Sequence, residues 1–157
     1  MEIMTAIGIL GVGLMALSAA IPLAAYGIQE GNQLSTATFL ANQRLEQVRN
    51  AQWTIKQPPA VPPDLDNLGV SASATAAPVS GAVTTFPDEN PVAAPYTQYS
   101  RSVRISSCGV GAGCNGIVNA DLRLVTVTVT YRPMTGVGMS PAGTAKPATV
   151  AMYVARR

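Results

Sequence analysis

The two cysteines stand in Cys108-Gly-Val-Gly-Ala-Gly-Cys114, and the chain of 157 residues contains no histidine. Without an imidazole there is no Ser–His or Cys–His nucleophile pair, and no standard three-ligand catalytic zinc site. Two cysteines cannot supply a four-ligand metal site, and the intervening glycines make a short ring sterically easy. A disulfide between Cys108 and Cys114 is the favoured reading, with two free thiols in a flexible loop as the alternative. The bond implies export to an oxidising compartment. Its closed loop is small, so on the chain-entropy model it adds at most a few kcal/mol. The glycines are not a phosphate cradle, because no Lys-Ser/Thr pair or helix start follows them. The other residue in an unusual setting is Glu2, which stands ahead of a run, 3–29, that has no Asp, Glu, Lys or Arg. A carboxylate is costly to carry into hydrocarbon without a partner. No catalytic constellation emerges, and the expectation is a non-enzyme without cofactor or metal.

Composition points the same way. Only 11% of residues are charged, against roughly 25% in ordinary soluble domains, while the apolar share of 48% is usual. Self-repelling disorder is therefore excluded for the chain as a whole. The formal charge of +2 hides an uneven distribution. Residues 57–99 carry Asp64, Asp66, Asp88 and Glu89 and no base, a local charge of −4. Residues 100–157 carry Arg101, Arg104, Arg123, Arg132, Lys146, Arg156 and Arg157 against Asp121 alone, a local charge of +6. Such asymmetry concerns partners and docking rather than fold. The two regions can neutralise each other within a subunit or across a subunit boundary, and at least one contact across a boundary is expected.

These residues need elements to hold them. Residues 1–28 form an apolar segment that, as a helix of some 25 residues, spans ~37 Å and can cross a bilayer. A cleavable secretory signal would be shorter and preceded by basic residues, so the segment is expected to be retained. Gly8, Gly11 and Gly13 permit close helix–helix approach, while Pro22 removes a backbone donor and invites a kink or local melting. Over 29–56 the pattern turns amphipathic. Leu34, Ala37, Ala41, Leu45, Val48 and Ile55 recur at three- and four-residue intervals among Gln43, Arg44, Glu46, Gln47 and Arg49. The helix must stop before Pro58-Pro59. One helix of about fifty residues, ~75 Å long, is expected.

Residues 57–96 are rich in Pro, Ala, Ser and Thr and read as a long surface loop, with a short strand around 79–85. Residues 97–157 read as a sheet domain. Tyr99, Arg101, Val103 and Ile105 alternate with Ser100, Ser102 and Arg104. In 122–132, Val125, Val127, Val129 and Tyr131 share one face and Thr126, Thr128 and Thr130 the other, the signature of a half-buried antiparallel strand. A third strand, 148–155, groups Val150, Met152 and Val154, after a Gly/Pro/Ser-rich loop at 133–146. The predicted class is α+β: a long N-terminal α-helix, apolar in its first half and amphipathic in its second, packed on a small C-terminal antiparallel β-sheet. The stripe from Leu34 to Ile55 is the cover for the apolar sheet face.

The segment Glu2-Ile-Met-Thr-Ala-Ile-Gly-Ile-Leu-Gly-Val-Gly-Leu-Met-Ala-Leu resembles the N-terminal segment of type IV pilins and type II secretion pseudopilins. Leu40-Ala-Asn-Gln-Arg-Leu-Glu-Gln-Val-Arg49 is similar to the helix continuation of minor-pilin-like members. The pairing of Tyr99-Ser-Arg-Ser-Val-Arg-Ile105 with Leu124-Val-Thr-Val-Thr-Val-Thr-Tyr131 is similar to their C-terminal sheet. The family places its glutamate fifth in the mature chain, after a basic leader and an N-methylated residue; here the glutamate is second. The resemblance implies a subunit held in the inner membrane, its precursor cut by prepilin peptidase. The subunit then joins copies of itself and other pilins in an extracellular filament through the inner-membrane assembly machinery. In that filament Glu2 would pair with the N-terminal amine of a neighbour, and Gly11, Gly13 and Pro22 would let the helix stretch as it leaves the bilayer.

A type II secretion pseudopilin and a single-pass anchor displaying a small binding domain are the competing readings. Nucleic-acid binding by the basic region has little behind it, since its bases are dispersed and only Tyr99, Tyr131 and Tyr153 offer stacking faces.

Overall fold

The computed structural model describes residues 2–51, 53–55, 65–66, 68–111, 113–133 and 143–156. Its backbone is one helix, α1 (Glu2–Asn50), of 49 residues. The helix passes through Pro22 without interruption. A proline removes only one helical amide bond, and apolar, helix-favouring residues on both sides carry the rest. The C-terminal limit falls earlier than expected. Asn50 ends the helix, the Ala51 amide bonds back to the carbonyls of Gln47 (3.1 Å) and Val48 (3.2 Å), and Trp53 turns in against the sheet.

Ile55 accordingly leaves the helical stripe and lies in β1 (Thr54–Ile55), paired antiparallel with β2 (Leu65–Asp66). Leu34 also drops out of the stripe, since its side chain is 47% exposed. The buried face consists of Ala37, Leu40, Ala41, Leu45 and Val48. Leu40, between the small Ala37 and Ala41, is the residue that the pattern-reading left out. The two alanines let the backbone of α1 approach the sheet closely, and Leu40 fills the space that they leave.

The region expected to be loop holds more strand than one short piece. β3 (Val70–Ser71), β4 (Pro78–Ser80) and β5 (Val83–Thr84) form an antiparallel sheet in the order β3-β4-β5. Gly69 opens it at φ 61°, where an added Cβ would lie 2.8 Å from the Val79 carbonyl carbon. Glycine is required there by both conformation and space.

The main sheet is β6 (Tyr99–Ser107), β7 (Leu122–Tyr131) and β8 (Lys146–Ala155), antiparallel and in chain order. Tyr99 pairs with Tyr131 and Val103 with Val127 in one ladder, and Val127 pairs with Val150 in the next. Period-two alternation places Val103, Ile105, Val125, Val127 and Val129 inward, each fully buried under α1. Thr126, Thr128 and Thr130 face the other way. The fold is α+β, a long helix laid on a three-stranded meander, with the core between them.

Candidate functional site

The lower half of α1 and the sheet share one core, while the upper half stands exposed. Every residue from Glu2 to Gln29 is exposed, including Ile3 at 76%, Leu14 at 64% and Ile28 at 67%. By length and composition this segment can cross a membrane. Exposed aliphatic side chains in such number mark a surface that meets lipid or another protein. Glu2 heads the segment, exposed in the single chain; its carbonyl accepts a hydrogen bond from Thr5 Oγ1 at 2.8 Å. At Gly11 and Gly13 an added Cβ would meet nothing within 4 Å, so no contact inside the subunit explains either glycine. Glu2, Gly11, Gly13 and Pro22 thus share the uncovered half of α1 and are not brought together by folding.

A polar collar stands where the helix enters the domain. Glu30 forms an ion pair with Lys146 at the start of β8, and the Tyr99 hydroxyl reaches the Gln33 carbonyl at 3.5 Å. About three turns beyond Gln33, Glu89 binds two guanidiniums. Arg44 of α1 is paired with one carboxylate oxygen, and Arg101 of β6 donates to the other through Nε at 2.9 Å and Nη2 at 2.6 Å. Arg101 Nη1 also donates to the Leu40 carbonyl at 3.1 Å and to Gln43 at 3.2 Å. Burial lowers the pKa of Arg44, and the nearby Arg101 charge lowers it further, against the opposing pull of Glu89. Beside this cluster Asp88 holds Arg104 through both oxygens, at 2.6 and 2.8 Å. That bidentate bond depresses the Asp88 pKa and raises that of Arg104.

Asp88 and Glu89 are therefore engaged within the subunit, where the charge distribution alone left both possibilities open. Arg123, also expected to be available to an acid, is buried with its guanidinium 4.3 Å from the Trp53 ring centre. The side chain of Asp66 and all of Asp64 lie outside the described residues. None of these pairings has a local sequence signal, because Lys146 is 116 residues from Glu30 and Arg44 is 45 from Glu89.

Cys108 and Cys114 are joined, with Cα atoms 4.8 Å apart. The ring lies in the connection from β6 to β7, at the end of the sheet away from Glu30. Inside it Gly113 adopts φ 70°, where a Cβ would fall 2.1 Å from the Ile117 carbonyl oxygen. Asn115-Gly116, at φ 52° and 83°, makes the tight turn in which Cys114 and Ile117 exchange backbone bonds of 3.0 Å. Asn-Gly with positive φ at both positions is a strong local turn signal, one that the sequence itself carries. Among the described residues no cluster of three or more acidic, Cys or His side chains could hold a metal.

No protein-family model, curated protein or solved structure matches this chain.

Proposed function

We propose that the chain is a structural subunit that polymerises through its N-terminal helix into an extracellular filament of the type IV pilus kind. One observation carries the reading: an entire apolar half-helix, with a carboxylate at its head, has no cover among the described residues. Before assembly a bilayer supplies that cover. Afterwards a bundle of the same helices, contributed by other copies and related pilins, supplies it. A secretion pseudopilin would use the same helix and is separated by the filament that the cell displays.

Glu2 is the specific element of this mechanism. In a dry helical core an ionised carboxylate is stable only when paired, and the N-terminal amine of the neighbouring copy is the partner proposed. Removal from the bilayer and insertion into the bundle then become coupled to charge neutralisation. Glu2→Ala and Glu2→Gln should give folded, membrane-inserted protein at normal abundance but few filaments, counted by electron microscopy of sheared cell surfaces. Normal filament yield from Glu2→Ala would defeat the pairing. A single-pass anchor carrying a binding domain would give no fibres from the unaltered chain.

A further inference from the structure

The two edges of the main sheet are treated differently. The β6 edge is closed by the chain itself: Arg101 exchanges both backbone bonds with Glu89 at 2.9 Å, the Tyr99 carbonyl accepts from Val92 at 2.8 Å, and the Ile105 amide donates to Ser71 Oγ at 3.1 Å. The β8 edge has no such cover among the described residues. Its inner side pairs with β7 from Lys146↔Tyr131 to Ala155↔Leu122. The Arg156 amide continues toward that side, donating to the Asp121 carbonyl at 2.8 Å. Inward and outward groups alternate along a strand, so Thr149, Ala151 and Tyr153 direct theirs outward. Residues 147–155 carry no charge, although long edges are normally blunted by charge, bulge or cover. Pro147, at one extremity, is the sole guard.

We infer that the outer edge of β8 pairs with the β5 edge of a neighbouring copy of this chain, an inference that rests on the filament reading. Two observations select this occupant. First, β8 starts beside Glu30, at the membrane-facing end of the domain, and runs away from it. Copies inserted side by side in one membrane present β8 in the same direction, which excludes a twofold antiparallel β8–β8 pair. Second, there is another open edge among the described residues. β5 is the outer strand of the small sheet, Val83 is 67% exposed, and 79–86 are uncharged.

The small sheet stands on the β6 flank, where Arg104 reaches the carbonyls of Ala74 (3.1 Å) and Thr75 (2.8 Å). The two open edges therefore lie on opposite flanks, and joining them gives a heterologous contact that propagates instead of closing on itself. Backbone bonds would give the contact its strength.

The test uses the full-length chain in its membrane and in sheared surface fibres. Thr149→Cys and Val83→Cys both lie at exposed positions. They are made in separate, differently tagged copies and joined with a short bismaleimide, to which the Cys108–Cys114 disulfide offers no thiol. Co-expression should give a mixed dimer, the double variant a ladder of multimers, and Thr149→Cys alone no dimer. A dimer from Thr149→Cys alone with no mixed product would mean symmetric pairing and overturn the inference. Fibres that form without the mixed product would overturn it and leave the filament reading standing. A mixed dimer in membranes of cells that make no fibre would support the edge pairing and remove the filament reading.

Discussion

Glu89 binds one guanidinium from the helix and one from the sheet, on a side chain that is itself 27% exposed, while Arg101 is 7% exposed. Deleting the carboxylate would strand two nearby cations, one of them deep under the helix. Breaking such a pair from one side is much worse than replacing both partners. Glu89→Ala should therefore lower stability by about 3 kcal/mol, somewhat less than a fully buried pair would lose. Denaturant unfolding in detergent micelles, followed by the single tryptophan, Trp53, reads the change directly. Arg101→Lys keeps the charge but loses the forked geometry and should fall between wild type and Glu89→Ala.

Asp88 gives the pH counterpart. Its folded pKa is depressed by Arg104, so its contribution is complete above the unfolded value of about 3.9 and is lost as pH falls through the folded value. Between pH 7 and 5 the tie should not weaken. Below the ordinary aspartate range it should release residues 74–75 from Arg104, and Asp88→Asn should abolish that acid-specific loss in hydrogen exchange at those amides.

At the scale of elements, β7 is where sequence and structure agree most closely, because its alternation of Val with Thr directly encodes which face is buried. Val127 is fully buried and Thr128, its chain neighbour, lies on the opposite face. Val127→Ala should cost about 2 kcal/mol through lost burial and the cavity left behind, while Thr128→Ala should stay within about 0.5 kcal/mol. Equal effects in thermal unfolding would mean that the register is wrong. The two halves of α1 were legible for the same reason: the apolar pattern first surrounds the helix and then narrows to a stripe.

The ends of that stripe were not legible. Leu34 lies above the sheet, and the turn after Asn50 is set by Trp53 meeting Arg123, some seventy residues away in sequence. The 57–96 region was the hardest to read. Its strands are two or three residues long and carry no periodic signal; β2 is held by β1 and β3 is tied to β6 through Ser71, contacts that local composition does not encode. Of the candidate site, Glu2 and the two cysteines were visible from type and spacing, whereas the collar of Glu30, Lys146, Arg44, Glu89 and Arg101 depends on tertiary contact.

At the scale of the whole molecule, the division of forces follows from where the charges and the apolar surface lie. Glu30, Asp88 and Glu89 are satisfied inside the subunit, and Asp121 is within 4.0 Å of Arg156. Among the described residues few charges are left to bond one copy to another, and exposed pairs are worth at most about 1 kcal/mol each and are screened by salt. The apolar half of α1, by contrast, is uncovered along its whole length, and apolar burial scales with area and survives high ionic strength. Filaments of this chain should therefore keep their length in molar sodium chloride, with at most a looser outer layer seen as a wider fibre in electron micrographs. Detergent, which competes for the same helix surface as the bilayer does, should dissolve them to monomers whose sheet domain keeps its tryptophan signal and its disulfide. Fibres that disperse in molar salt yet persist in detergent would place the cohesion in the sheet domains and their charges, and would reverse the assignment of the helix as the assembling element.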